Sequence, residues 1–488
     1  MKRIEGTPIL TTAQMRAAEA ASGESVSTLM DRAGTVIAEA VRRLAGDSEI
    51  LILCGPGNNG GDGYVAARLL AAGGATVRVA ALGEPKSEAA KAARAGWSGP
   101  VEPFASVTPA PILIDAMFGT GLTRSLDSKT NSPSAKAGAQ LGEPSGQSTA
   151  LPIWTPASAG VDVVEKLHQL ATAAHLTIAI DLPSGVATAD GRALSKPPKF
   201  DLTLALGAAK PSHLLQPAAR YCGEIRLLDI GIDATSDAHA LKAPNFPTPG
   251  PDAHKYTRGM VAIIAGDMPG ASELAALAAM HAGAGYVTLL GDTSGPPHAL
   301  VRAPLSDHAL GNDRIGALII GPGLGRSDYA LSLLDAALAA NRPLIIDGDA
   351  LRLLDPARIA LLKTPVILTP HAGEFDALFG KCAADKITRA RDAAVHANAI
   401  VVFKGADTVI AAPDGRVRIA SDASDWLSTA GTGDVLAGAI GAMLAAGLDP
   451  LEAAAAGVWL HADAARRLGP AFIADDLALA LRKARASL

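Results

Sequence analysis

The chain has 488 residues, too many for one ordinary core, so two or three domains are expected. Hydrophobic residues make up 49% and charged residues 19%, which excludes global disorder. A net charge of −5 and 3% aromatics leave neither a basic footprint for nucleic acid nor a base-stacking platform. The three cysteines, Cys54, Cys222 and Cys382, are far apart and include no CxxC pair. That argues against a disulfide framework or a zinc site and fits a reducing compartment. No apolar h-region follows Met1–Gly6, so no signal peptide is expected. The most apolar helical run, Val435–Leu448, is broken by glycines and too short to span a bilayer. A cytoplasmic protein without nucleic-acid or membrane partners follows. Its oligomeric state stays open, a homo-oligomer included.

Apolar runs alternate with helical patterns nearly throughout, which implies parallel, doubly wound sheets and an α/β fold class. Thr12–Ala21 reads as a helix ahead of the first sheet. Ile50–Leu53 reads as a buried strand and Tyr64–Leu70 as a helix. Between them lies Gly55-Pro-Gly-Asn-Asn-Gly-Gly-Asp-Gly63. A glycine-dense loop at a helix start lets backbone N–H groups approach an anion closely. Gly55-x-Gly57-x-x-Gly60 also fits the dinucleotide pattern. A plain tight turn would favour Asn and Gly too, but it does not need so many polar side chains together.

Further strands are expected at Thr76–Ala81, Ile112–Ile114, Leu176–Ile180, Leu202–Leu206 and Ile225–Leu228. Asp115 ends one of them and precedes Ala-Met-Phe-Gly119-Thr-Gly-Leu122. Asp181 ends another and precedes Leu-Pro-Ser184-Gly185. Ligands of open parallel sheets bind outside the carboxyl ends of the strands, so all three features converge on one crevice. One such aspartate alone would read as a helix cap. Two of them beside Asn58 and Asn59 favour a site. Carboxylates, amides, one serine and backbone donors suit a hard cation and proton transfer.

Two segments break the rhythm. Ser125 to Ala159, rich in Ser, Pro, Gly, Lys and Gln, reads as a flexible surface insertion. Asp233 to Asp252 carries Pro244, Pro247, Pro249 and Pro251 and reads as a linker, with the domains at 1–238 and 239–488. A second strand series follows at Val261–Ala265, Tyr286–Leu290, Ala317–Ile320, Pro343–Ile346, Val366–Leu368 and Ile400–Phe403. Glycine-containing loops follow the strands at Gly266 and Gly321, Thr369-Pro-His371-Ala-Gly-Glu374 opens a helix, and Lys404–Thr408 turns into another strand. Last comes Ser428-Thr-Ala-Gly431-Thr-Gly-Asp434 before the helix Val435–Ala446. Glycines at a helix start make an anion hole. An aspartate there repels phosphate but is well placed to take a proton from a hydroxyl attacking it. The bland alternative is that Asp434 only complements the helix dipole.

The motifs GPGNNGGDG, DAMFGTGL and DLPSG, in this order and spacing, resemble the NAD(P)H-hydrate epimerase domain over about residues 1–235. The resemblance implies a Rossmann-like αβα domain acting on nicotinamide rings hydrated at C6, interconverting the two C6 configurations. It implies potassium ligands at Asn59, Asp115 and Ser184. It implies substrate contacts at Asn58, Asn59, Gly60, Gly61 and Asp62, and at Gly119, Thr120, Gly121, Leu122, Thr123, Arg124 and Ser125. Asp181 is implied as a further contact, and a carboxylate there could shuttle the proton. The insertion after Ser125 starts directly at this substrate loop.

In the second half, GTGD resembles the anion-hole motif of ribokinase-like kinases. With TPHAGE and KGADT it resembles the ADP/ATP-dependent NAD(P)H-hydrate dehydratases over about residues 250–488. That implies a ribokinase-like αβα domain using ADP or ATP with Mg2+ to phosphorylate the C6 hydroxyl, after which phosphate leaves. Lys404, Gly405, Ala406, Asp407, Thr408 and Gly433 match nucleotide-binding positions. Ala271, Gly323, His371 and Asp434 match contacts to the hydrated substrate, Asp434 as base. The loop Ala265-Gly-Asp-Met-Pro-Gly-Ala271 lacks the tyrosine common in the family, and His371 could equally be a structural helix-start residue. Two rival readings remain. One is a small-molecule kinase of the ribokinase superfamily with an accessory ligand-binding domain. The other is a non-enzymatic binding or scaffolding role for the first half.

Overall fold

The computed structural model describes residues 1–127, 162–246, 249–421 and 423–488. The expected insertion therefore lies outside the described residues from position 128 onward. The chain divides into two compact units, Met1–Ser236 and Asp237–Leu488.

The first unit has strands β1 (Lys2–Arg3), β2 (Ile50–Cys54), β3 (Val77–Ala81), β4 (Val101–Pro103), β5 (Ile112–Ala116), β6 (Leu176–Ile180), β7 (Leu202–Leu206) and β8 (Glu224–Leu228). Its helices are α1 (Thr12–Ala21), α2 (Val26–Ala45), α3 (Asn58–Ala72), α4 (Glu88–Ala95), α5 (Val163–Ala173) and the single turn α6 (Pro211–Leu214). The sheet order is β1-β8-β7-β6-β5-β2-β3-β4, parallel except where β1 runs against β8. Strand β2 shows why three layers form. Ile50 and Ile52 pack into one core with Ile37 and Val41 of α2 and Leu70 of α3, while Leu51 and Leu53 pack into another with Leu167 and Leu170 of α5. A strand buried on both faces reads as a continuous apolar run.

The second unit has β9 (Ala238–Ala240), β10 (Met260–Ile264), β11 (Tyr286–Leu290), β12 (Val301–Ala303), β13 (Ile315–Ile320), β14 (Leu344–Ile346), β15 (Val366–Leu368), β16 (Ile400–Phe403), β17 (Thr408–Ala411) and β18 (Val417–Ala420). Its helices are α7 (Pro269–Ala282), α8 (Asp307–Leu310), α9 (Asp328–Ala339), α10 (Gly348–Leu353), α11 (Pro356–Ile359), α12 (Ala372–Phe379), α13 (Lys386–Ala397), α14 (Thr432–Ala445), α15 (Pro450–Leu468) and α16 (Ala474–Ala486). The sheet order is β12-β11-β10-β13-β14-β15-β16-β17-β18-β9. One core joins Val261 and Ile319 to the alanine-rich helices α7, α14, α15 and α16. These helices come very close. A Cβ at Gly438 of α14 would stand 2.1 Å from the Ala275 carbonyl oxygen, and one at Gly457 of α15 would stand 2.5 Å from Ile440.

Three expectations need correcting. The second sheet is mixed, because β17 runs antiparallel to both β16 and β18. A tight turn joins such neighbours, whereas a parallel pair needs a crossover. The proline-rich segment is not all linker, since β9 lies within it and pairs with β18. Both glycine motifs belong largely to helices: α3 starts at Asn58, not Tyr64, and α14 at Thr432, not Val435. Among the described residues no helix is long and apolar enough to cross a membrane.

Candidate active sites

In the first unit, β6, β5 and β2 are neighbours and end side by side. Their carboxyl ends deliver Asp181, the Met117–Leu122 loop and the start of α3 to one edge. A cavity of about 650 Å³ opens there. It is lined by Asn58, Asn59, Asp62, Gly119, Thr120, Gly121, Leu122 and Asp181. It is also lined by residues the sequence reading missed, Glu19 from α1 and Lys210 from the turn after β7. Gly119 sits at the meeting point: a Cβ there would stand 3.3 Å from both Asn59 Oδ1 and Asp181 Oδ2.

The glycines of α3 serve close packing. A Cβ at Gly60 would fall 1.9 Å from the Gly55 carbonyl oxygen, and one at Gly61 would meet the Met30 sulfur at 2.5 Å. Gly60 therefore sets how near α3 lies to the end of β2 and Gly61 how near it lies to α2 and α4, and neither lines the cavity. Thr123, Arg124 and Ser125 do not line it either. Ser125 Oγ donates to Asp127 at 2.8 Å and lies 3.1 Å from Ser195 Oγ.

Asp181 is held from several sides. Lys210 Nζ donates to its Oδ1 and, at 2.7 Å, to the Leu206 carbonyl. Leu206 N donates to the same Oδ1 at 3.2 Å. Both partners of the ion pair are buried, Lys210 at 1% exposure. Asp181 has a φ of 65°, left-handed backbone that costs a non-glycine residue about 1–3 kcal/mol. His213 Nδ1 accepts from Lys210 N at 2.9 Å, leaving Nε2 to donate to the Asp181 carbonyl at 2.6 Å. Burial and then the Lys210 charge push His213 down to about 4, so the ring is neutral and fits this tautomer. Burial also raises Asp62 well above the usual carboxylate range, helped by Asp181 and Glu19 and opposed by Lys210. Glu19 is raised too, chiefly by burial.

Asp115 and Ser184 form a second group outside the cavity lining. Asp115 accepts from Ser184 Oγ at 2.7 Å, Ser184 N at 2.8 Å and Met117 N at 3.1 Å. Phe118 N donates to Ser184 Oγ at 2.9 Å. Asn59 Nδ2 donates to the Ile180 carbonyl at 3.2 Å. Asp115 is fully buried, and among the described residues no Lys, Arg or His pairs with it. Burial pushes its carboxyl up to about 6 against those three hydrogen bonds. A buried carboxylate with a hydroxyl at hand and no charged partner among the described residues fits a hard cation.

In the second unit the strand ends of β10, β13, β14, β15 and β16 carry the motifs. Gly323, with φ 62°, approaches α7 so closely that a Cβ would stand 2.2 Å from the Met268 carbonyl and 3.0 Å from Ala271 Cβ. Asp347, directly after β14, was missed in the sequence. It is 2% exposed and accepts from Lys404 Nζ at 2.7 Å and Thr369 Oγ1 at 2.6 Å. Gly433 faces this pair: a Cβ there would stand 3.4 Å from Lys404 Nζ and 3.9 Å from Asp347 Oδ2. Asp434 lies in the first turn of α14. Burial pushes it up to about 7, with Asp347 and Asp349 adding to the effect and Lys404 opposing it. The turn is fixed from behind, since His461 Nε2 lies 2.9 Å from the Thr432 carbonyl. His371 is the N-cap of α12 and accepts from Gly373 N at 3.0 Å and Glu374 N at 3.2 Å, with its Nε2 3.4 Å from Glu374 Oε1. Gly405 and Ala406 belong to the β16–β17 turn, where Asp407 binds Lys386 Nζ at 2.7 Å, and Thr408 opens β17. A lysine, a tunable carboxylate and helix-start N–H groups at one edge can bind phosphate and accept a proton.

Comparison with known proteins agrees on both units. A family model described as YjeF-related protein N-terminus matches residues 26–212, and one described as NAD(P)H-hydrate dehydratase matches residues 261–485. A protein of Thermofilum pendens named bifunctional NAD(P)H-hydrate repair enzyme Nnr is 33% identical, over 90% of this chain and 87% of its own. One of the same name from Pyrobaculum aerophilum is 32% identical over 92% of each. Among solved structures, the ADP/ATP-dependent NAD(P)H-hydrate dehydratase of Bacillus subtilis, co-crystallised with ATP and Mg2+, is 29% identical. It covers 50% of this chain and 94% of its own, with a TM-score of 0.45. The full-length identities, spanning both the epimerase-like and the dehydratase-like unit, show that this chain belongs to the family of bifunctional NAD(P)H-hydrate repair enzymes.

Proposed function

We propose that the first unit epimerises hydrated NADH and NADPH at C6, and that the second dehydrates the S form with ADP or ATP. The observation that carries the dehydratase half is Asp434, a carboxyl raised to about 7 in the glycine-rich start of α14, next to Gly433 that faces the Lys404–Asp347 pair. A base with a pKa near neutrality is what proton transfer from an alcohol requires.

In the first unit the cavity takes the hydrated nicotinamide. The ring nitrogen lone pair helps expel the C6 hydroxyl, and re-addition of water on the other face inverts the centre. Asp181, held by Lys210 and Leu206 N, moves the proton. Asn59, Asp115 and Ser184 would hold a potassium ion, which would supply positive charge beside the Asp115 carboxylate. In the second unit Lys404 and the N–H groups opening α14 orient the terminal phosphoryl group. Asp434 takes the proton of the C6 hydroxyl as its oxygen attacks phosphorus, and the bond from phosphorus to the bridging oxygen breaks to release AMP or ADP. Phosphate then leaves C6 with the C–O electron pair as water takes the C5 proton, and the C5–H pair forms the restored double bond. Magnesium would accompany the nucleotide phosphates, with Asp347 and Asp349 the nearby carboxylates, and would neutralise phosphate charge.

The test is to mix the protein with each purified epimer and either nucleotide and follow recovery of dihydronicotinamide absorbance. Recovery of both epimers supports the reading. Recovery of neither with ADP or ATP sinks it. A stable phosphorylated alcohol would point instead to a small-molecule kinase.

A further inference from the structure

Asp62 is a nine-tenths buried carboxyl that lines the first unit's cavity and takes no hydrogen bond from any described residue. Its unpaired carboxyl is open to the cavity, so a bound molecule can supply the partner that the protein does not. Asp181, in the same cavity, is the opposite case, with an ion pair to Lys210 and a backbone donor. The two come from different places in the sheet. Asp181 follows β6, and Asp62 sits one turn into α3, the helix after β2. Strand β5 lies between β6 and β2, so their ends are roughly 10 Å apart. Between them stands the Gly119 loop, whose glycine leaves open the space beside Asp181 Oδ2.

Inversion at C6 needs a proton donor on the face the hydroxyl leaves and an acceptor on the face where water adds. We propose that Asp62 is a second catalytic carboxyl, serving the ring face opposite to the one served by Asp181. This rests on the epimerase reading of the first unit. For one epimer, Asp62 gives its proton to the C6 hydroxyl. The C6–O bond breaks with its electron pair on oxygen, water leaves, and the nitrogen lone pair closes a C6=N double bond. Water on the other face forms a new C6–O bond, the C=N pair returns to nitrogen, and Asp181 takes the released proton. One water is lost and one gained, and a proton has passed from Asp62 to Asp181. For the other epimer the two carboxyls exchange roles. The high affinity of Asp62 for its proton, set by burial and by Asp181 and Glu19 against Lys210, agrees with its acting first as acid.

The test uses the full chain, purified hydrate epimers of NADH and water labelled with oxygen-18. Wild type should invert both epimers and label both. Asp62→Asn should invert at least ~100-fold more slowly, with KM little changed. It should still exchange label into one epimer with retention, because Asp181 alone can expel and re-add water on its own face. Asp181→Asn should show retained exchange in the other epimer. The amide introduced by Asp62→Asn is isosteric with a neutral carboxyl that has no partner, so the melting transition should not fall, and Asp62→Glu should recover part of the inversion. Inversion by Asp62→Asn within about threefold of wild type would overturn the proposal, as would loss of exchange in both epimers. A wild-type protein inert on both epimers would instead overturn the epimerase reading, and the inference with it.

Discussion

The pH dependence of dehydration is the sharpest consequence of the Asp434 environment. If Asp434 is the base, kcat/KM for the dehydratase reaction follows its ionised fraction. At pH 6 about one molecule in eleven is ionised with a pKa of about 7, and the rate falls about tenfold for each further unit of acidification. The neighbours then set the direction of two variants. Asp347 raises Asp434, so Asp347→Asn should move the midpoint down, on the order of one pH unit. Lys404 lowers it, so Lys404→Met should move the midpoint up. Both variants will also lower the plateau, because each breaks the 2.7 Å pair at the phosphate side of the site. The midpoint is therefore the quantity to read. The assay is absorbance recovery from the hydrate of NADH with saturating nucleotide, between pH 5 and 9. Ionisations of substrate and nucleotide are common to all three proteins, so the differences between midpoints belong to the protein. A wild-type midpoint near the usual aspartate range, or shifts of the same sign in both variants, would refute the reasoning.

Three further outcomes are expected. Lys210→Met leaves Asp181 without its buried partner, which should destabilise the first unit by about 3–5 kcal/mol; a denaturant midpoint equal to wild type would contradict the ion pair. Gly60→Ala drives a methyl group into the Gly55 carbonyl and should cost about 1–3 kcal/mol, read as a lowered melting transition, with no loss if that approach is not real. Potassium should stabilise the first unit above pH 6 and much less at pH 4. The folded-state value for Asp115, about 6, lies above its ordinary one, so without the ion stability falls as pH rises to 6 and then levels off. At about 1.36 kcal/mol per pH unit the loss is about 3 kcal/mol. Melts in potassium and tetramethylammonium chloride check it, and equal curves in both salts at pH 8 would exclude the cation.

The strands could be read in the sequence because β2, β5, β6, β10 and β13 are buried on both faces and so appear as largely apolar runs. Strands β1, β4, β9 and β12 are two or three residues long at or next to sheet edges and carry no such run. The helix starts were misplaced because glycine and asparagine disfavour helix interiors, whereas here Gly60 and Gly61 are required by contacts with Gly55 and Met30. Asp181, Asn59 and Gly119 share an edge as their motifs suggested. Lys210 was invisible because it lies 29 residues along the chain from Asp181, and Asp347, though it follows a strand as Asp181 does, has its partner Lys404 57 residues away. Nothing local marks a lysine as the counter-charge of a distant aspartate. Only the sheet order brings them together.

The contacts of Gly438 and Gly457 also bear on how the second unit can change over time. Where a backbone carbonyl or a packed side chain occupies the place of a missing methyl group, substitution can only enlarge, and enlargement pushes α14 outward. The same helix carries Asp434 in its first turn, so added bulk along this seam would displace the carboxyl proposed as the base. The seam should therefore resist drift and offer an engineer no cavity to fill. Gains in thermal robustness would have to come from outer helices such as α13, where Val395 is 63% exposed.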